Sequence, residues 1–387
     1  MRRLAIFFLA VLLSTLVWLA VTGRLARLSL AARMLDHLRR PIAGSAFMRT
    51  THPPRETALT LEYGGQRFAA ELYRPAAAAG NVPIVLTPGA VAQGKDDPRI
   101  APFARLLARA GFTVIVPDLT SFRTLRIRSE NAEQLGAALE AVVRRADLAP
   151  RGTAGLFGIS YAGGIAMLVA TDPRHARHVR FVAAVGAYAD LDTVVRYLAT
   201  GRFTYRGRQY TNPPDLYGKF VFLRTYEEFL TEPEDVARLE SMAERRLRDP
   251  RAAMDDLAAG LTPAGRLVYD LFERSRPDEV PALIARLPAG MKQRMAMLSP
   301  ARRDFSPLRA RVYLLHDLHD RTFPFTETLT LAERSRELVP VRMILLESLH
   351  HADPKPWHND PWGFLTRDLP EAWRLGWWFV DLLGERS

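Results

Sequence analysis

The stretch 155-GLFGISYAGG-164 decides how this chain is read. It opens inside an apolar run, Thr153 to Phe157, and stops at a lone serine, Ser160, set among Gly158, Ala162, Gly163 and Gly164. Strand-like hydrophobicity, then small residues, then the helical pattern of GGIAMLVAT spell a strand, a sharp turn and a helix. A serine on such a turn needs tiny neighbours, because the crowded dihedrals leave no room for bulk two positions before or after it. Its hydroxyl then stands at the carboxyl end of a strand, with the free backbone N–H groups of a helix behind it. The plain alternative is a Gly-rich turn whose serine only caps the helix. The flanking chain has to decide between them.

Upstream, TALTLEYGGQRFAAELYRP (57–75) alternates with period two around Gly64-Gly65, a hairpin signal. VPIVLTPGAV (82–91) and FTVIVPD (112–118) are short buried strands, and PRIAPFARLLARAG (98–111) between them has helical spacing with a glycine stop. AEQLGAALEAVVRRA (132–146) is a helix before the serine strand, and VRFVAAVGAY (179–188) is a strand after the serine helix. Strand alternating with helix requires crossover connections. The expected fold class is therefore α/β, a mostly parallel central sheet with helices on both faces and its chemistry at the carboxyl ends of the strands.

At these residues the chain resembles the α/β-hydrolase superfamily, most closely bacterial serine hydrolases of the prolyl oligopeptidase, dienelactone hydrolase and carboxylesterase types. The family motif Gly-x-Ser-x-Gly stands here as Gly158-Ile159-Ser160-Tyr161-Ala162, with alanine for the last glycine. The family's oxyanion loop, commonly His-Gly, corresponds to Pro88-Gly89-Ala90-Val91. The histidine is missing, but the family uses backbone N–H groups, so the resemblance assigns Ala90 and Tyr161. It also implies an acid and then a histidine later in the chain. RVYLLHDLHDRTFPF (311–325) supplies Asp320, with Asp317 as the competing acid; VRMILLESLHHADP (341–354) supplies His351, with His350 as the competing base. Serine is a weak nucleophile unless a base takes its proton, and a carboxylate holds the histidine tautomer and stabilises its cation. His316, Asp317, His319 and Asp320 also crowd together, but the ligand spacing of a metallo-β-lactamase is absent, and neither a metal nor another cofactor is expected.

Between the sixth and seventh core strands, residues 195–300 interrupt the alternation with helical stretches such as PEDVARLESMAERRLR and with the aromatic-rich loop RFTYRGRQYTNPPDLYGKF. This reads as a largely helical cap that shapes access. Phe203, Tyr205, Tyr210 and Tyr217 either line an acyl pocket or pack the cap itself. EAWRLGWWFVDLLG near the end suits the closing helix of the fold, with Trp373, Trp377 and Trp378 in the core rather than at a bilayer. The core is expected over 57–194 and 301–387, and 24–56 as a linker.

At the other end, Arg2 and Arg3 precede the uncharged stretch Leu4 to Thr22, closed by Gly23 and Arg24. Its length suits a hydrophobic membrane-spanning helix. A cleaved signal peptide is the rival, and would make the product secreted or periplasmic. The five arginines Arg24, Arg27, Arg33, Arg39 and Arg40 argue by the positive-inside rule for a cytoplasmic domain, against the export that the signal-like shape suggests. The side of the membrane stays open.

With 387 residues and 48% hydrophobic content, the chain can bury a sizeable core. Its 53 basic against 42 acidic residues leave +11, nearly all of it arginine scattered without interleaved aromatics, which speaks against nucleic acid as a partner. No cysteine is present, which excludes disulfides, thiolate metal sites and a thiol nucleophile. The sequence therefore predicts a serine hydrolase, anchored by its N-terminal helix, that cleaves the ester or similar acyl bond of a small-molecule substrate with Ser160, Asp320 and His351. A catalytically inactive binding protein of the same fold and an acyltransferase are the competing classes. Oligomeric state is not legible.

Overall fold

In a computed structural model that describes residues 19–40, 44–76, 82–249, 251–356, 358 and 360–386, two helices, α1 (Arg24–Arg39) and α2 (Ala46–Thr50), precede an eight-stranded sheet. Strands β1 (Arg55–Tyr63) and β2 (Gln66–Arg74) form the expected antiparallel hairpin. Gly64 and Gly65 both lie at positive φ, 58° and 78°, which only glycine adopts without cost and which matches the twist of a tight hairpin. Then β3 (Ile84–Thr87), α3 (Ile100–Arg109), β4 (Val114–Pro117), α4 (Glu130–Val143), β5 (Ala154–Ile159), α5 (Tyr161–Thr171) and β6 (Val179–Val185) follow in strict alternation. The sheet order is β1-β2-β4-β3-β5-β6-β9-β10, and every pairing from β4 to β10 is parallel.

Parallel strands buried on both faces need apolar residues at every position, and β3 and β4 are buried throughout. One face packs under α4 and α5 through Leu135, Leu139, Ile165 and Ala166. The other is covered by α3, by α1 and by the closing helix, whose Trp378 is fully buried against Tyr313 and Phe379.

The chain between β6 and β9 (Arg311–Asp317) is largely helical. It comprises α6 (Leu191–Thr200), a hairpin of β7 (Arg202–Tyr205) and β8 (Arg208–Thr211), α7 (Leu216–Tyr226), α8 (Pro233–Arg248) and shorter helices. After β9 come α9 (Thr326–Arg336), β10 (Val341–Leu346) and the closing helix α10 (Leu369–Leu383).

Two expectations are corrected here. Residues 24–56 are not a free linker: α1 buries Ala31, Met34 and Leu35, one helical face, against the sheet layer, and Phe47 of α2 is buried with them. The aromatic stretch from 202 to 211 is not a loop but the β7–β8 hairpin, turned by Arg206 and Gly207, both at positive φ. Its rings pack together: Phe203 stacks on Tyr210 at 5.3 Å, and both meet Phe325 edge-on. The proposed membrane segment, Leu4 to Thr22, falls mostly on residues 1–18, outside the described part. Among the described residues no helix is long and apolar enough to cross a membrane.

Candidate active site

Strand β5 ends at Ile159 and α5 begins at Tyr161, so Ser160 alone makes the turn, at φ 57° and ψ −128°. For a residue with a side chain this is sparsely populated backbone that costs about 1–3 kcal/mol. Hydrogen bonds hold it there. The Ser160 amide donates to the Val185 carbonyl at 2.7 Å, and the Gly163 amide donates to the Ser160 carbonyl at 2.9 Å. The small neighbours are required by close approach. A Cβ at Gly158 would lie 2.4 Å from the Ala162 carbonyl oxygen, and one at Gly163 would lie 2.8 Å from Ala187 Cβ.

The loop after β3 passes directly over the serine, because a Cβ at Gly89 would stand 3.1 Å from Ser160 Cβ and 3.5 Å from its Oγ. Beyond it, the Ala90 amide donates to no acceptor among the described residues, whereas the Ala90 carbonyl accepts a hydrogen bond from the Tyr217 hydroxyl of α7. Tyr161 opens α5, where the first amides have no partner inside the helix. Its ring is turned into the core, stacked on Tyr188 at 5.3 Å, and its hydroxyl donates to Asn131 Oδ1 at 3.0 Å. With the side chain committed to the core, the Tyr161 amide is left without an acceptor among the described residues.

Asp320 lies three residues beyond β9 and is buried. Its Oδ1 accepts the amides of Thr322 and Phe323 at 2.7 and 3.0 Å, and its Oδ2 stands 2.6 Å from His351 Nδ1. The same Oδ2 lies 3.2 Å from Nε2 of the fully buried His316, which also points at the Phe323 carbonyl at 3.1 Å. Both neighbours of that nitrogen are acceptors, so His316 Nε2 carries a hydrogen. Burial pushes the Asp320 carboxyl up, but the charge of His351 and hydrogen bonds from His316 and His351 outweigh it and hold it well below the ordinary carboxylate range. Burial pushes His351 down, and the Asp320 charge and hydrogen bond more than reverse this, leaving it above the usual histidine value.

The competing residues have different work. Asp317 ends β9 and is buried, but its oxygens accept the amides of His319 and His351 at 3.0 and 3.2 Å and touch no imidazole nitrogen. It fixes the backbone on which His351 sits, itself at φ 57°. His350 is exposed, with its side chain in no hydrogen bond among the described residues. The ring of His351 lies on Gly186, where an added Cβ would be 3.0 Å from its Cε1 and 3.1 Å from its Nδ1. Gly186 directly follows Val185, whose carbonyl receives the Ser160 amide, so ring and serine stand over neighbouring strands about 4.8 Å apart. No hydrogen bond joins Ser160 Oγ to His351 among the described residues.

The sequence reading missed three contributions to this site: His316 beneath Asp320, Asp317 as a backbone anchor, and the hydrogen bonds that the inserted segment gives to Asp320. From that segment, Tyr197 donates its hydroxyl to the Asp320 carbonyl at 3.0 Å and Asn212 donates to the same oxygen at 2.8 Å. The i, i+4 spacing of His316 and Asp320 was the one available signal for the first.

The profile of the family described as X-Pro dipeptidyl-peptidase (S15 family) matches residues 64–352, a span that holds Ala90, Ser160, Asp320 and His351. Among curated proteins the sequence has no match. Among solved structures it is similar to the dienelactone hydrolase of Anabaena variabilis, at 14% identity over 85% of this chain and 99% of that one, with TM-score 0.42. It is similar to brefeldin A esterase, a bacterial homologue of human hormone-sensitive lipase, at 17% identity over 95% and 85%, with TM-score 0.48. The acylaminoacyl peptidase of Pyrococcus horikoshii is 13% identical over 78% of this chain but only 38% of its own length, with TM-score 0.44.

Proposed function

The chain belongs to the S15 family of α/β-hydrolase serine hydrolases, and on that premise we propose that it cleaves an ester or similar acyl bond through an acyl-enzyme on Ser160. The observation that carries this reading is the 2.6 Å contact between Asp320 Oδ2 and His351 Nδ1 beside a strained Ser160. With Nδ1–H given to Asp320, the His351 tautomer leaves Nε2 with a lone pair. Ser160 Oγ attacks the acyl carbon while its proton passes to Nε2, and the oxyanion that forms accepts the amides of Ala90 and Tyr161. Collapse breaks the bond to the leaving group, which takes the proton from His351. Water then repeats both steps and frees the acid. An oxyanion hole of two amides is worth several kcal/mol, since losing one donor elsewhere costs about 10²–10³ in rate.

A specific feature favours esters over dipeptidyl substrates. An X-Pro substrate brings a free ammonium that needs an uncommitted carboxylate. Besides Asp320 and the Asp317 that holds its amide, two carboxylates that act on His351 are Asp215 and Asp353. Asp215 accepts from Thr322 Oγ1 at 2.6 Å and from the Gly218 amide at 3.1 Å, and Asp353 is paired with Arg99 at 3.3 Å. p-Nitrophenyl esters of graded chain length are therefore expected to be cleaved at least about tenfold faster in kcat/KM than Ala-Pro-p-nitroanilide, a difference of ~1.4 kcal/mol or more in transition-state binding. The opposite order overturns the ester reading.

The inserted segment acts as the cap in this proposal, since Tyr197, Asn212 and Tyr217 reach Asp320 and Ala90 from it. The same segment encloses an apolar cavity of about 70 Å³, lined by residues including Leu223, Met242, Val268 and Phe272. The stretch Leu4 to Thr22 anchors the enzyme at a membrane.

Acid should switch the enzyme off early. A base must be neutral to accept the serine proton, and His351 is held above the usual histidine value by Asp320, so it binds a proton sooner as pH falls. The acid limb of kcat/KM is expected to have its midpoint above about 6.5, the unperturbed value. A midpoint well below it would show that Asp320 does not stabilise the His351 cation.

A further inference from the structure

At the opposite end of the strands, where β9 and β10 begin, lies a cavity of about 350 Å³ lined by Arg24, Arg27, Arg311, Arg342 and Asp381, with Tyr313 at its wall. Strand β9 starts at this cavity and ends at Asp317, so seven residues, ~20 Å of extended chain, separate it from the proposed active site. Positive charge is in excess here. Asp381 is shared between Arg24 at 3.7 Å and Arg342 at 3.4 Å, and Glu385 between Arg311 at 3.0 Å and Arg180 at 3.3 Å. The Arg27 guanidinium donates to the carbonyls of Thr22 and Gly23, with no carboxylate partner among the described residues. Beside it Arg386 donates to the Ala110 and Leu383 carbonyls, and its pKa is lowered by burial and by the Arg27 charge. Among the described residues four guanidinium groups, those of Arg24, Arg27, Arg311 and Arg342, thus line the cavity against the one carboxylate of Asp381.

We propose that this cavity binds a phosphate group, and that the phosphate is carried by an anionic lipid headgroup. Guanidinium groups recognise phosphate oxygens through paired, charge-assisted N–H bonds, and a phosphate seated among them offsets the repulsion between Arg27 and its neighbours. The lipid source follows from position. Thr22 and Gly23, which end the apolar stretch Leu4 to Thr22, lie against Arg27 on the rim, so a segment seated in a bilayer delivers the cavity to the headgroup layer. The phosphate chemistry stands without the anchor, whereas the lipid source rests on it.

The test uses the full chain in micelles of uncharged detergent, followed by its melting temperature. Inorganic phosphate and phosphatidylglycerol, each at a hundredfold excess over its dissociation constant, are expected to raise that temperature by roughly 5 °C, while chloride at matched ionic strength and phosphatidylcholine are not. Arg27→Gln combined with Arg342→Gln should weaken both responses at least about tenfold. A cooperative melting transition of the variant shows that it is folded, and the wild-type series needs no variant at all. A response to phosphatidylglycerol, with or without one to inorganic phosphate, supports a headgroup site. A response to inorganic phosphate alone overturns the lipid source and keeps the phosphate site. A response to neither, or one undiminished in the folded double variant, overturns the proposal.

Discussion

Ser160→Ala is expected to remove hydrolysis by a factor on the order of 10³–10⁶ and to leave the fold in place. The large effect follows from the chemistry of a nucleophile. Without Oγ no acyl-enzyme forms, and only the two amides at Ala90 and Tyr161 remain to stabilise an attack by water. The small structural effect follows from the surroundings. Ser160 Oγ makes no hydrogen bond among the described residues, and the strained backbone is held by main-chain bonds to Val185 and Gly163 that alanine keeps. Steady-state rates with a p-nitrophenyl ester, read beside a melting curve, check both halves. A folded Ser160→Ala protein with undiminished activity would remove Ser160 from the mechanism.

His351→Ala is expected to lower kcat by about 10³-fold or more, and His350→Ala to leave it near the wild-type rate. The two residues are adjacent, yet only His351 meets Asp320, at 2.6 Å, and only its ring lies on Gly186 beside the serine. Removing it also strands a buried carboxylate, a change that costs 3–5 kcal/mol when nothing else is near. Here His316 and the amides of Thr322 and Phe323 remain, so the loss of stability should fall toward the lower part of that range or below it. A reversed pattern, with His350 essential and His351 dispensable, would require a different loop conformation after β10.

Much of this arrangement is legible in the sequence because its cues are local. Gly64-Gly65 between alternating strands specifies the hairpin, apolar runs mark β3 to β6, and the glycines around Ser160 report the crowding that an added Cβ at Gly158 or Gly163 would meet. What stayed hidden depends on contacts far apart in the chain. The apolar face of α1 is narrow, Ala31, Met34 and Leu35, and it is masked by Arg24, Arg27, Arg33 and Arg39, so its packing against α10 leaves little trace in its own pattern. The β7–β8 turn places an arginine, Arg206, where asparagine or glycine is the usual signal. The family resemblance favours Asp320 over Asp317, but nothing in the residues themselves says what Asp317 does instead. Folding separates them, because the strand end commits Asp317 to two amides while the turn after it brings Asp320 between two imidazoles.

The most direct test of the central claim, that Ser160 is an activated nucleophile, is the mass of the protein after reaction with a fluorophosphonate, with the modified peptide then sequenced. A phosphonate ester forms only where a hydroxyl is deprotonated by a neighbouring base and the phosphoryl oxygen is received by hydrogen-bond donors. The expected result is one adduct per chain on Ser160, absent in Ser160→Ala and in His351→Ala and present in His350→Ala. An unmodified wild-type protein, or an adduct on any other residue, would contradict it.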